Sequence, residues 1–224
     1  MTAAASAPVL DRHGNPKPRM RGWIHRFASF VALPAAILLV VLAPTARARI
    51  ACAIYGVTLA GLFTISSMYH IGNWTDQQRS WWRRADHSMI FLLIAGTYTP
   101  FCLLVMHGTA ALVELAIVWA GALAGVGVKL WRTDLHVVSG FMYIGLGWVA
   151  AVSFPAMIRA LDVPNTILLV AGGLIYSLGA IVLATHWPGK VAKNFGYHET
   201  WHTMTVVAAT CHYIVILRVV LELR

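Results

Sequence analysis

The chain has 224 residues, 59% of them apolar and 11% charged, with a net charge of +9. Soluble domains carry about a quarter charged residues, so the composition excludes a soluble globular protein and defines an integral membrane one. The basic residues flank apolar runs instead of clustering on one face, which excludes a nucleic-acid surface as the meaning of the charge.

Residues 1–26 are polar, rich in Pro and small side chains, and carry Arg12, Lys17, Arg19, Arg21 and Arg26; they read as a disordered cytoplasmic tail. Residues 27–42 form the first predicted span, kinked at Pro34. Ala46-Arg47-Ala48 has the small-x-small form of a signal-peptidase site, but the long leading region and the further spans downstream favour a retained helix. Six more apolar segments follow, at residues 50–71, 88–106, 110–130, 135–158, 164–185 and 203–221. Each is long enough to cross a hydrocarbon core of ~30 Å as a helix. The expectation is an all-α bundle of seven transmembrane helices, a single domain over residues 27–224. Gly121 with Gly125, and Gly145 with Gly147, mark close helix packing, and Pro100 a kink in span 3. Trp23, Trp74, Trp81, Trp82 and Trp187 sit at span boundaries as interface anchors. Cys52, Cys102 and Cys211 lie singly in apolar runs and read as small buried hydrophobes.

Counting Lys and Arg sets the expected orientation. A cytoplasmic N-terminus puts the five tail cations, Arg79, Arg83, Arg84, Lys129, Arg132, Lys190 and Lys193 inside, and Arg47, Arg49, Arg159, Arg218 and Arg224 outside. That bias predicts N-terminus in and C-terminus out. The chain is expected to be a multi-pass protein of the inner (plasma) membrane.

Ionisable side chains at membrane depth are expensive and by default mark function. His198 and His202, in Gly196-Tyr197-His198-Glu199-Thr200-Trp201-His202, are four apart, so on a helix they stack on one face about 6 Å from each other. Ser66 and His70 have the same spacing at the inner end of span 2, and Asp86 starts span 3. With the N-terminus inside, all five groups fall at one depth in the cytoplasmic leaflet, an agreement the charge count did not force. Three imidazoles, His70, His198 and His202, match an open Zn²⁺ site, three His ligands and a water whose pKa falls near 7. Asp86 would be the general base and later proton donor, and Ser66 a supporting donor that can polarise a substrate carbonyl. His136 and His186 lie near inner ends as spare ligands. His13, His25 and His107 read as tail, helix-start and outer-loop residues, and His87 as packing or interfacial. His212 lies ten residues past His202, ~15 Å along a helix, too far to share a metal with it.

Three blocks carry a family resemblance: Ser66-Ser67-Met68-Tyr69-His70, the run from Asp86 to Pro100, and His198-Glu199-Thr200-Trp201-His202. The chain resembles the hemolysin III family, bacterial relatives of the progestin and adipoQ receptors in the superfamily that includes alkaline ceramidases. That resemblance implies a seven-helix fold with an inner-leaflet zinc held by three histidines, matching His70, His198 and His202. It also implies an aspartate-held water, matching Asp86, and a motif serine, matching Ser66. The chemistry it implies is zinc-dependent hydrolysis of a lipid amide such as a ceramide-like molecule; cytolysis and membrane-fluidity homeostasis are other roles linked to relatives.

Two rival readings come from the same residues. His198-Glu199-x-x-His202 has the H-E-x-x-H form of a zinc protease with Glu199 as base, but Glu199 points about 100° away from His198 on a helix, and a protease leaves Ser66, His70 and Asp86 unexplained. A non-enzymatic membrane-homeostasis sensor or a pore-forming cytolysin is the other class. A pore needs a polar stripe along several helices, and only Glu114 stands alone in span 4, near enough to its outer end to snorkel.

Overall fold

A computed structural model describes residues 18–132, 134–187, 189 and 194–224. The main chain is helical because nothing else satisfies backbone N–H and C=O groups within one segment at membrane depth. In order, the helices are α1 (Trp23–Leu42), α2 (Ala46–Ile71), α3 (Asp76–Pro100), α4 (Thr109–Trp131), α5 (His136–Gly147), α6 (Ala150–Ala160), α7 (Val163–Thr185) and α8 (Tyr197–Glu222). Among the described residues, seven stretches are long and apolar enough to cross a membrane, α5 and α6 together making the fifth. The protein is an all-α, multi-pass integral membrane bundle. Consecutive helices pack on one another, and α8 returns against α1 to close the bundle. The Tyr213 hydroxyl fastens that seam by donating to the Ala35 carbonyl at 2.9 Å.

Several helices run beyond the apolar segments that announce them. α1 starts at Trp23, inside the stretch read as tail, and α3 starts at Asp76. Residues 76–87 are too polar to register as part of a span, but Thr75 caps the helix: it accepts from the Gln78 amide while the Gln78 side chain accepts from its own. Asp86 therefore stands ten residues inside α3, where a helix fixes its direction.

Pro100 is the last residue of α3. The chain widens into a π-helical turn at Phe101–Val105, in which the Met106 amide reaches back to the Phe101 carbonyl at 3.0 Å. Span 5, read as one helix, is broken at Trp148–Val149. The break persists because Tyr98 on α3 repairs it: its hydroxyl donates toward the carbonyls of Gly147 (2.8 Å) and Leu146 (3.2 Å) and accepts from the Ala150 amide (2.6 Å).

The small residues divide by function. A Cβ on Gly125 would come within 2.4 Å of the Phe91 ring, and one on Gly121 within 2.8 Å of Leu146, so both permit close helix approach. Gly145 and Gly147 have open space where a Cβ would stand, so close packing is not their role. Glu114 does not snorkel. It is buried and accepts a hydrogen bond from Ser153 on α6 at 2.9 Å. Cys52 and Cys102 are buried free thiols, and Cys211 is half-buried.

Tyr98→Phe strips the α5–α6 break of its hydroxyl while keeping the ring. The expected cost is about 1–3 kcal/mol, because backbone groups are left unpaired at depth. It is checked as a lowered thermal midpoint in detergent together with faster amide exchange at Ala150.

Candidate metal centre

The site is assembled from three helices. α2 delivers Ser66 and, one turn later at its last turn, His70. α3 delivers Asp86. α8 delivers His198 in its first turn and His202 in its second, on the same face, as the i,i+4 spacing requires. Ser66 is 2% exposed, His202 is buried, and His70, Asp86 and His198 are half-buried. All five line one cavity of about 60 Å³.

The donor geometry suits a single ion. One nitrogen from each of His70, His198 and His202 falls within 4.8 Å of the other two. The Nε2 atoms of His70 and His198 are 3.2 Å apart. Two ligands ~2.05 Å from a tetrahedral centre stand about 3.3 Å apart, so this pair already has the spacing of two ligands on one zinc-sized ion. The His198 and His202 rings are 4.5 Å apart between centroids, and those of His70 and His202 5.0 Å. Three nitrogen donors lining a half-buried cavity are the chemistry a borderline-soft divalent ion prefers, so the residues present suit such an ion.

Asp86 stands next to this cluster without joining it. Its Oδ2 is 4.0 Å from His70 Nε2, and the Ser66 side chain is within hydrogen-bonding reach of its carboxyl. A carboxylate at that remove can hold a water or a substrate proton near the triad while leaving the three nitrogens free for an ion.

Glu199, the candidate base of the H-E-x-x-H reading, is otherwise engaged. It is 1% exposed, pairs with Arg21 and accepts from the Gly196 amide at 2.8 Å, so it caps its own helix and ties down the segment before α1. Of the other histidines, His186 packs edge-on against Tyr197 with ring centroids 4.5 Å apart and is outside the triad. The His136 side chain and His13 lie outside the described residues. His87 also lines the cavity. His212 is buried far along α8, its Nε2 3.2 Å from the Leu169 carbonyl.

His25 is the residue that sequence reasoning missed. Read as a helix-start residue, it is 3% exposed, lines the same cavity and stacks on His202 with ring centroids 3.8 Å apart. Arg26 interrupts the apolar run and hides the true start of α1. The available signal was Trp23, an interface anchor that puts the membrane boundary upstream of His25.

These features define a class: a seven-helix membrane protein with three histidines and an aspartate gathered inside one end of its bundle. The Haemolysin-III related family model matches residues 13–213, and the chain belongs to the hemolysin III family. It is 32% identical to Hemolysin-3 of Bacillus cereus over 201 residues, covering 88% of this chain and 89% of that protein. It is 28% identical to a Hemolysin-3 homolog of Bacillus subtilis over 198 residues (86% and 89%). Monocyte to macrophage differentiation factor of Homo sapiens is also 28% identical, over 196 residues (85% and 79%).

Glu199→Gln keeps an acceptor for the Gly196 amide but removes the charge that faces Arg21. Breaking a buried ion pair costs ~3 kcal/mol or more, less here because Arg21 is partly exposed. The expected result is a lowered melting temperature in detergent; an unchanged one would remove the Arg21–Glu199 pair from the forces that tie the segment before α1 to α8.

Proposed function

We propose that the protein is a zinc-dependent hydrolase of lipid amides, ceramide-like in class. The observation that carries this reading is the cluster of His70, His198 and His202 with Asp86 4.0 Å away. A zinc ion held there would supply a Lewis acid and bring the pKa of a bound water near neutrality. Asp86 takes the proton from the attacking water and returns it to the leaving amine. Ser66 donates its single hydroxyl proton to the Asp86 carboxyl and so holds that base in place.

A second cavity supports the lipid part of the reading. It has a volume of about 420 Å³, is walled mainly by apolar and aromatic side chains, and shares Leu62, Ile90, Trp201 and Thr205 with the small cavity of the triad. An apolar space of that size opening beside a polar centre suits a ligand with a long hydrocarbon chain and a polar head. The setting proposed is the plasma membrane, with the tail and the triad on the cytoplasmic side and membrane lipids as the source of substrate.

Metal content of the detergent-purified protein is the first test. About one zinc per chain is expected, falling to background in a His198→Ala, His202→Ala double variant; a metal-free wild type prepared without chelators would overturn the reading and leave the sensor or pore class. Given zinc, Asp86→Asn should keep the metal and lower the turnover of a ceramide-like amide by about a hundredfold or more, the scale of a lost general base. Unchanged turnover would remove Asp86 from the mechanism.

A further inference from the structure

A metal-binding histidine is normally oriented by a hydrogen bond from its second ring nitrogen to a carboxylate, a carbonyl or a water. Among the described residues, His202 makes no such side-chain bond. Its ring is held instead by His25. The two imidazoles lie 3.8 Å apart between centroids with planes only 5° from parallel. Phe63 of α2 packs on His25 at 5.1 Å, tilted by 60°. Both His25 ring nitrogens are buried without a well-formed hydrogen bond among the described residues, so the contact on show between His25 and the centre is the stacked ring face.

The surrounding segment fixes His25 in that place. Gly22 adopts a φ of +82°, and a Cβ on it would come within 2.8 Å of the His70 Cβ, so only glycine lets the chain turn this tightly against the triad. Arg21 pairs with Glu199, between the two α8 histidines, and the Met20 amide donates to the Asn194 carbonyl at 3.2 Å. Residues 20–25 thus touch α2 beside His70, the segment before α8 at Asn194, and α8 itself at Glu199 and His202. The histidine they deliver lies flat on His202.

We propose that His25 is a positioning residue of the metal centre, holding the His202 imidazole by ring stacking in the plane from which it can bind the ion. The proposal rests on the metal reading above. A histidine ring turns broadly about its last side-chain bond, so an unbraced His202 would sample planes that miss the ion shared with His70 and His198. A stacked ring removes that freedom without adding a fourth donor, leaving the remaining position of the ion open on the Asp86 side.

The test is cobalt(II) binding to the full-length protein in detergent, followed by visible absorption and by competition with a chelating dye. Wild type and His25→Phe, which keeps a flat ring, should bind cobalt with the same spectrum and similar affinity. His25→Ala should bind roughly ten- to a hundredfold more weakly, with an altered spectrum, the effect expected of removing an orienting neighbour. The proposal is overturned if His25→Ala binds as tightly as wild type, or if His25→Phe falls as far as His25→Ala, which would assign the role to the ring nitrogens. It is also overturned if His25→Ala lowers the melting temperature of the metal-free protein while leaving the cobalt spectrum and affinity unchanged. A wild type that takes up neither cobalt nor zinc overturns the metal reading and this proposal together, whereas a metal-binding wild type with an indifferent His25→Ala overturns this proposal alone.

Discussion

A polar group inside a bilayer has no water to turn to, and this one constraint organises the bundle. The helices discharge it for the backbone, and the side chains follow the same rule: Thr97 and Thr99 donate to carbonyls one turn back on α3, as Ser177 does on α7 and Thr205 on α8. Where the backbone departs from regular helix, a neighbour intervenes, as Tyr98 does at the α5–α6 junction. Against this background the imidazoles of His70, His198 and His202 stand apart. They turn toward one another and line a cavity shared with a carboxylate, an arrangement that serves an occupant better than it serves the fold.

The bundle separates support from chemistry. Phe91, Tyr55 and Leu39 are fully buried; Phe91 packs on Tyr143 of α5 with ring centroids 4.3 Å apart, and the Tyr55 hydroxyl donates to the Ala209 carbonyl of α8 at 3.5 Å. Span 5 is the least buried of the seven and is covered on one side chiefly by what surrounds the protein. The large cavity lies between α3 on one side and α5, α6 and α7 on the other.

Much of this was legible from residue order. Seven apolar runs of membrane length announce seven spans, and a topology count made without reference to the histidines puts Ser66, His70, Asp86, His198 and His202 at one depth. The structure brings those five to one cavity because helical spacing and depth are both encoded locally. Long-range partners were not legible. Tyr98 is about fifty residues from the break it repairs, and nothing near Trp148 reveals the partner that makes the break tolerable. Glu114 was read as snorkelling because its acceptance of Ser153 joins two helices whose facing is not written in either. His25 was lost through a local conflict: Arg26 resembles the end of a tail, yet its guanidinium lies over the Phe30 ring 5.7 Å away, beside a helix that has already begun. The polar start of α3 misled in the same manner, since hydropathy marks where lipid begins and caps mark where helices begin.

The closure of α8 against α1 has a consequence for the history of each molecule. Synthesis runs from the N-terminus, so Arg21, Gly22 and His25 enter the membrane first and wait through six further spans for Glu199 and His202. Until α8 is in place, the Arg21 cation lacks the Glu199 carboxylate, and His70 has Asp86 beside it but neither of its imidazole partners. Completion of the pocket thus depends on both α1 and α8 having been inserted. A product that stops short of α8 would keep the α1, α2 and α3 walls of the pocket and lack two of its three clustered histidines.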